Sequence, residues 1–190
     1  MSRKTEKRKE FKRYLIAQVN QVLKEEYSTS YNDAKDLDKE TAFTAFYISS
    51  FLSRSFDLDK DEVEQGLNIT GKGDLGIDFF YEGRDFMILL QAKWRDTSKI
   101  KSNELIEFVD RYTNTYYSEN TLRDGNDAAK EAINRLSINR VKKTLYYEFI
   151  TSDRFSRTMK DENENENEIR IKKIHSHAKE KNVTKPIISF

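Results

Sequence analysis

The feature that most constrains this chain is a short apolar run that ends in two polar side chains. Residues 86–90 are FMILL, and the sequence continues directly as QAKW. A run this apolar and this short predicts a strand that is buried on both faces of a sheet. Because successive side chains of a strand point to opposite faces, Gln91 and Lys93 share a face with Leu89. The strand therefore carries an amide and an ammonium to one side of the sheet where it leaves the core.

A second strand is predicted just before this one, and it carries a carboxylate. Residues 76–82 are GIDFFYE, and residues 82–85, EGRD, have the length and the glycine of a hairpin turn. With a two-residue turn at residues 83–84, Asp78 lies opposite Leu89 and on the face of the amide and the ammonium. A loop of odd length or a bulge would reverse this placement. The even register clusters a carboxylate, an amide oxygen and an ammonium at one end of a sheet.

This combination of groups is suited to one kind of chemistry. A carboxylate together with an amide or backbone carbonyl oxygen can hold a hard divalent cation such as Mg²⁺. A nearby lysine can orient or deprotonate a water molecule and can stabilise charge that develops on a phosphate. Gly73 and Gly76 flank the carboxylate and allow a bulky polyanion to approach the backbone. The residues predict a site for metal-assisted phosphodiester hydrolysis; the alternative is that these side chains are only polar strand ends that reach solvent.

Helices are predicted on both sides of the hairpin. The spacing of apolar residues predicts them over residues 5–26, 39–54, 102–118 and about 128–136. Residues 144–151, TLYYEFIT, are aromatic and β-branched and predict a third strand. The order helix, helix, hairpin, helix, helix, strand predicts an α/β domain with a mixed sheet.

Local signals refine the first two helices. Asp38 is the expected N-cap of the helix at residues 39–54. The first helix has an apolar stripe that we expect to face the core, formed by Phe11, Tyr14, Leu15, Gln18, Val19, Val22 and Leu23.

Composition limits where the protein works and what holds a metal. Charged residues make up 35% of the chain and apolar residues 36%, so the core is sizeable and the surface strongly charged. There is no Cys, so a metal must be held by oxygen or by one of the two His. No long apolar run and no signal peptide are evident, so we expect a cytoplasmic protein without a membrane partner. Basic clusters at residues 1–13 and 170–177 either contact phosphates or form solvated helix faces.

The sequence GDLGIDFFY followed by ILLQAKW resembles the core of the PD-(D/E)xK nuclease superfamily, in its variant with Gln before x-K. Within it, the chain resembles the N-terminal nuclease-like region of the abortive infection phage resistance (AIPR) family. Residues 39–52, KETAFTAFYISSFL, take the place of its E-x-A-F helix. The likeness covers residues 38–118 well and 119–152 loosely. It implies an α/β fold with a restriction-endonuclease-like mixed central β-sheet flanked by helices.

The resemblance also implies a division of the chain. Residues 1–155 would form the nuclease-like domain, made of an N-terminal helix at 1–27 and a core at 38–152. Residues 156–190 would form a low-complexity segment and a C-terminal extension. The chain is much shorter than typical members of the phage-resistance family.

Carried over residue by residue, the resemblance assigns roles to five positions. It implies that Asp78 binds the metal, that Gln91 replaces the usual acidic residue, and that Lys93 is the catalytic lysine. Ala92 would offer its carbonyl oxygen to the metal, and Glu40 would complete the metal shell directly or through water. The implied cofactor is Mg²⁺ or Mn²⁺. The alternative for Glu40 is a first-turn acid that is favourable to the helix dipole.

The implied function is a divalent-metal-dependent endonuclease that acts on DNA, with RNA left open, in bacterial defence against phage. Lys72, Trp94 and Arg95 are the candidate contacts to nucleic acid, although a Trp in this position also commonly caps a core strand. Because Gln carries no charge, the metal site would be weaker than one with two acids. The alternative function is a catalytically inactive nuclease-fold subunit that binds nucleic acid or assembles a defence complex. A homodimer and a larger complex both remain open.

Overall fold

The structure, a computed structural model, describes residues 3–96, 125–139, 142–152 and 187–189. The helices are α1 (Arg3–Tyr27), α2 (Asp36–Tyr47), a π-helical segment (Ile48–Leu52), α3 (Ser53–Ser55), α4 (Lys60–Glu64) and α5 (Asp127–Asn139). The strands are β1 (Leu67–Asn68), β2 (Phe79–Glu82), β3 (Phe86–Lys93), β4 (Thr144–Thr151) and β5 (Ile187–Ser189). The helix predicted at residues 102–118 and nearly all of the predicted extension at 156–190 lie outside the described residues.

The strands form one mixed sheet with β3 at its centre. The order across the sheet is β1-β2-β3-β4-β5. The pairs β1–β2 and β2–β3 are antiparallel, whereas the pairs β3–β4 and β4–β5 are parallel. The predicted α/β class with a mixed sheet flanked by helices is confirmed. As the short apolar run predicted, β3 is buried along nearly its whole length.

Helices cover both faces of the sheet. The face that packs on α5 buries Ile69, Ile77, Phe80, Met87, Leu89, Ala129, Ala132, Ile133, Leu136, Leu145, Tyr147 and Phe149. The other face packs on the π-helical segment and buries Ile48, Leu52, Leu58, Phe79, Tyr81, Ile88 and Leu90. A third cluster joins α1 and α2 to the end of β3 and buries Leu15, Val19, Leu23, Ala42, Phe43, Phe46, Ala92 and Trp94. The end of β3 is thus the place where the sheet meets the N-terminal helices.

The predicted hairpin exists, but its register was wrong by two residues. The amide of Gly83 donates to the carbonyl oxygen of Phe86 at 2.9 Å, so the turn lies at residues 84–85 rather than 83–84. Phe79 pairs with Leu90 instead of Ile88. The glycine therefore ends the strand instead of forming the centre of the turn. A shift by two residues keeps each paired side chain of β2 on its predicted face.

The strand β2 is also shorter than predicted, because the chain before it is not extended. Leu75 and Gly76 have φ values of 56° and 74°, and such left-handed backbone cannot continue a strand. The carboxylate of Asp74 accepts from the amide of Gly76 at 2.8 Å and closes this turn. The residues from Asp74 to Gly76 form the irregular loop that leads to Asp78.

The second helix begins earlier than predicted, and Asp38 is not its N-cap. The helix α2 starts at Asp36, with Lys35 as the N-cap residue. The carboxylate of Asp38 reaches back from the third helical position and accepts from the amide of Lys35 at 3.1 Å. Asp38 therefore satisfies the N-cap amide from the third helical position and is not the N-cap itself. The helical path then continues through the π-helical segment to Ser55, close to the predicted end.

Two short elements were missed in the predicted connection between α2 and the hairpin. The helix α4 is capped by Asp59 and Glu62, each of whose carboxylates accepts from the other's backbone amide, at 2.8 and 3.0 Å. This D-x-x-E pattern is a capping box that the sequence displays. The strand β1 has only two residues, too few for a periodic signal.

The apolar stripe predicted for α1 is wider than the surface that this helix buries. Leu15, Val19 and Leu23 are in the core, but Phe11 is 59% exposed and Tyr14 48% exposed. The core therefore uses only the central row of the stripe. Among the helices of the described ranges, none is long and apolar enough to cross a membrane.

Candidate functional site

The carboxylate of Asp78 is the most unusual group at the end of β3. The residue directly precedes β2 and is 0% exposed. Its Oδ2 accepts a hydrogen bond from the amide of Ala92 at 2.7 Å. Its Oδ1 is buried and has no hydrogen-bond partner in the part of the chain that is described. A buried carboxylate oxygen without a partner is costly, so this atom is suited to bind a cation.

The position of Asp78 follows from an irregular end of the β2–β3 ladder. Its amide donates to the carbonyl oxygen of Leu90 at 2.7 Å, and Leu90 is also the partner of Phe79. Two residues of one strand thus face a single residue of the other, as in a β-bulge. Asp78 was expected opposite Leu89, and this expectation was wrong. The side chain lies alongside β3 and satisfies the amide of Ala92 in place of a ladder partner.

Burial governs the charge of Asp78. It raises the pKa of the carboxyl group from its ordinary value of 3.8 to about 7. The hydrogen bond from the Ala92 amide and the ammonium of Lys93 act in the opposite direction and lower this pKa. The nearby carboxylates of Glu40 and Asp74 raise it further. The group therefore gains or loses its proton near neutral pH, and further positive charge beside it would favour the ionised form.

Lys93 and Glu40 form the second part of the site. The Nζ of Lys93 lies 3.3 Å from the Oε1 of Glu40, and both side chains are partly buried. The Oε2 of Glu40 accepts from the backbone amide of Trp94 at 3.1 Å. One carboxylate from the first turns of α2 therefore contacts two consecutive residues of the β3 end. These contacts place Glu40 beside Lys93, and the part that the sequence analysis gave Glu40 in a metal shell stays a prediction.

The structure brings the predicted site residues to the same end of β3, but it connects them unequally. Hydrogen bonds and ion pairs join Asp78 to the Ala92 amide and Glu40 to Lys93. Gln91 is buried next to Ala92 and pairs with Phe149 of β4. By strand alternation it continues the α5-facing row of Leu89. Within the described part of the chain, no hydrogen bond joins the Gln91 side chain to Asp78, Glu40 or Lys93.

The three candidate contacts to nucleic acid are placed differently from one another. Lys72 is exposed, between two glycines with φ values of 140° and 82°. Arg95 is partly exposed, and its Nη1 donates to the carbonyl oxygen of Trp94 at 3.1 Å. Trp94 is buried, with its ring 5.2 Å from that of Phe43 and 4.2 Å from the ammonium of Lys12. The ring of Trp94 caps the core strand and offers no face for a base to stack on.

Several residues around the site were missed by the sequence interpretation. Asp96 follows β3 and accepts hydrogen bonds from Trp94, Lys39 and Tyr31. Lys12 of α1 donates to the Oγ of Ser152 at 3.0 Å, beyond the end of β4. Except for the bond from Trp94, these contacts join residues 57 to 140 positions apart, which no local pattern in the sequence reveals.

In residues 3–96, 125–139, 142–152 and 187–189, no three His, Cys, Asp or Glu side chains are grouped so that they could hold a metal. A metal bound here would thus need neutral oxygen ligands in addition to carboxylates.

Comparison of the chain with family models, curated proteins and solved structures gives no match.

Proposed function

We propose that this chain is a divalent-metal-dependent nuclease that hydrolyses phosphodiester bonds in DNA and serves in bacterial defence against phage. The proposal is carried by one observation: the fully buried carboxylate of Asp78 has an oxygen with no hydrogen-bond partner among the described residues, near the ammonium of Lys93 and the carboxylate of Glu40. Such a group of charges at the end of paired strands is what the sequence resemblance to PD-(D/E)xK nucleases implies. The restriction-endonuclease-like character of the fold is part of the same proposal.

The donor set fits a hard cation with modest affinity. Asp78 would supply the unpartnered Oδ1, and Glu40 a second carboxylate. Gln91 and the carbonyl group of Ala92 would add neutral oxygens, which suit Mg²⁺ or Mn²⁺. When bound, the cation would supply Lewis-acid stabilisation of the charge on the attacked phosphate. Its charge would also favour the ionised form of Asp78, whose pKa burial raises to about 7.

Lys93 performs the protein's own part of the reaction in this proposal. Its ammonium is held at 3.3 Å by the carboxylate of Glu40 and is partly exposed at the strand end. From there it orients the attacking water and donates a hydrogen bond to the phosphoryl oxygen as negative charge develops. Glu40 keeps the long lysine side chain in a defined position, which reduces the entropy lost when the substrate binds.

We propose that two cations near the site, Lys72 and the partly exposed Arg95, contact the DNA backbone. Lys72 extends from the glycine loop before Asp78, and Arg95 follows the end of β3. Both are suited to phosphate oxygens, which position a duplex without reading its sequence. Cutting both strands of a duplex requires two sites, so we propose that the active form is a homodimer or part of a larger defence complex.

A second candidate function is favoured by a specific observation. Both oxygens of Glu40 already accept hydrogen bonds, from Lys93 and from the Trp94 amide. Of the two site carboxylates, Asp78 and Glu40, only that of Asp78 then has an oxygen without a hydrogen bond from the described residues, which is little negative charge for a catalytic metal. On this basis the alternative is a nuclease-fold subunit that binds nucleic acid or assembles a defence complex without cleaving it.

A cleavage assay decides between the two functions. Linear DNA, circular DNA and RNA are incubated with the protein in Mg²⁺, in Mn²⁺ or in EDTA. Asp78→Asn and Lys93→Met test the site, and Asp36→Asn, whose side chain is 98% exposed, is the matched control. Metal-dependent cutting that both site variants lose and the control retains supports the nuclease. No cutting under any condition, with nucleic-acid binding retained, supports the non-catalytic subunit.

A further inference from the structure

The carboxylate of Asp96 gathers three hydrogen-bond donors just after the end of β3. The indole Nε1 of Trp94 donates to Oδ1 at 2.8 Å, and the hydroxyl of Tyr31 donates to the same oxygen. The ammonium of Lys39 donates to Oδ2 at 2.9 Å. The ring of Tyr31 also lies 4.5 Å from this ammonium and 5.9 Å from the ring of Trp94. One carboxylate thus links a loop, a helix and a strand end.

The linked segments are those that carry the candidate site. Lys39 immediately precedes Glu40 in α2, and Trp94 immediately follows Lys93 in β3. The bond from Lys39 to Asp96 therefore runs beside the bonds from Glu40 to Lys93 and to the Trp94 amide. Lys39 and Glu40 of the helix are thereby fixed to residues at and just after the end of β3. Such paired attachment restrains rotation of the helix as well as its distance from the strand.

The charges indicate which partner holds Lys39. Its side chain is only 10% exposed, and a buried ammonium needs a close carboxylate. Asp36 is 4.0 Å away but 98% exposed, so solvent screens it. Asp96 lies at 2.9 Å. Burial acts to raise the pKa of Asp96, but hydrogen bonds from Tyr31, Lys39 and Trp94 outweigh it, and the pKa is lowered. Asp96 is therefore a charged anchor for Lys39.

We propose that Asp96 is a positioning residue for the candidate site: it holds the first turns of α2 against the end of β3, so that Glu40 stays on the Lys93 ammonium and the Trp94 amide. The consequence for catalysis rests on the proposed nuclease function. The positioning itself rests only on the contacts among these residues. The two can therefore be tested separately.

The positioning is measured by hydrogen exchange at the Trp94 amide, which donates to Glu40 at 3.1 Å. The full chain is compared with Asp96→Asn, which removes the charge that holds Lys39 and keeps the shape of the side chain. Asp36→Asn is the control, because it removes the other carboxylate near the same ammonium. We expect exchange at the Trp94 amide to be at least about 10-fold faster in Asp96→Asn and unchanged in the control. Equal exchange in Asp96→Asn and the native chain overturns the proposal.

A milder variant keeps the test decisive if Asp96→Asn does not fold. Tyr31→Phe removes one of the three donors and retains the aromatic ring beside Trp94. We expect a smaller acceleration of exchange at the Trp94 amide, with exchange in α5 unchanged. Exchange that stays at the native rate in Tyr31→Phe, with Asp96→Asn unfolded, overturns the proposal, since Asp96 is then only a general support of the fold.

Kinetics then separate the positioning from the nuclease function. If the protein cleaves DNA, we expect Asp96→Asn to lower kcat about 10-fold with little change in KM, because substrate binding does not involve this residue. Unchanged kcat together with unchanged exchange overturns the positioning while the nuclease function stands. Accelerated exchange in a protein that cleaves nothing supports the positioning and contradicts the nuclease function.

Discussion

The buried carboxylate of Asp78 makes a prediction about stability that does not depend on detecting any enzymatic activity. Its pKa rises from 3.8 to about 7 because it is buried. At about 1.4 kcal/mol per pKa unit, this rise corresponds to about 4 kcal/mol of folding free energy. The folded state binds a proton that the unfolded state has already released. The free energy of unfolding therefore falls as pH rises from about 4 to about 7, and this contribution is constant above that range.

Replacement by Asn isolates this effect from all other titrating groups. Asp78→Asn keeps an oxygen that accepts from the Ala92 amide but carries no charge at any pH. We expect the variant to gain stability relative to the native chain as pH rises, by up to about 4 kcal/mol at pH 8. For a domain of this size that corresponds to a rise in Tm on the order of 10 °C. Below pH 4 the two proteins should be nearly equal.

The assay is urea unfolding of both proteins at several pH values from 4 to 8, with EDTA or with excess Mg²⁺. Mg²⁺ should stabilise the native chain at pH 8 and leave Asp78→Asn unchanged, since ligands stabilise the state that binds them. If the free energies of unfolding of the two proteins change in parallel with pH, the pKa of Asp78 is not raised by burial. Equal stabilisation of both proteins by Mg²⁺ would refute the assignment of the cation to this residue.

Further substitutions test other parts of the structure. Lys93→Met should lower the rate of DNA cleavage at least about 100-fold with the fold intact, as seen by circular dichroism. Leu23→Ala should cost about 2–5 kcal/mol in urea unfolding because Leu23 is fully buried in the α1 cluster. Phe11→Ser should change the free energy of unfolding by less than about 0.5 kcal/mol, since that ring is 59% exposed. Tyr47→Phe removes the hydroxyl that donates to Glu148 at 3.0 Å and should cost about 1 kcal/mol.

The centre of the sheet could be predicted from the sequence because burial leaves a strong pattern there. An apolar run of strand length has few other places in a domain than the middle of a sheet, and β3 begins with this run at Phe86 and ends at Lys93. The register of the hairpin could not be predicted, because the glycine at position 83 is compatible with more than one turn. The structure selects the turn at residues 84–85. The apolar pattern is the same in both registers, so it cannot distinguish them.

In the candidate site too, contacts between residues near in sequence could be predicted, and contacts between distant residues could not. The sequence predicts that Asp78 and Lys93 lie near each other, because one precedes and the other ends two consecutive strands that a short turn joins. The contact of Glu40 with the Trp94 amide spans 54 positions, and that of Lys39 with Asp96 spans 57. Such contacts depend on how α2 sits on the sheet, which side-chain periodicity does not determine. No local sequence pattern therefore indicated that Asp96 contacts the site residues.

The attachment of α1 has a consequence for protein synthesis. Lys12 donates to the Oγ of Ser152, which is 140 positions later in the chain. At translation rates of about 5–20 residues per second, the helix leaves the ribosome on the order of 10 s before this partner exists. In the first part of that interval, before Ala92 and Trp94 are made, Leu15, Val19 and Leu23 lack the end of β3 that they pack around. Among the described elements, the helix α1 is thus made first, and its contact with the residue after β4 forms late.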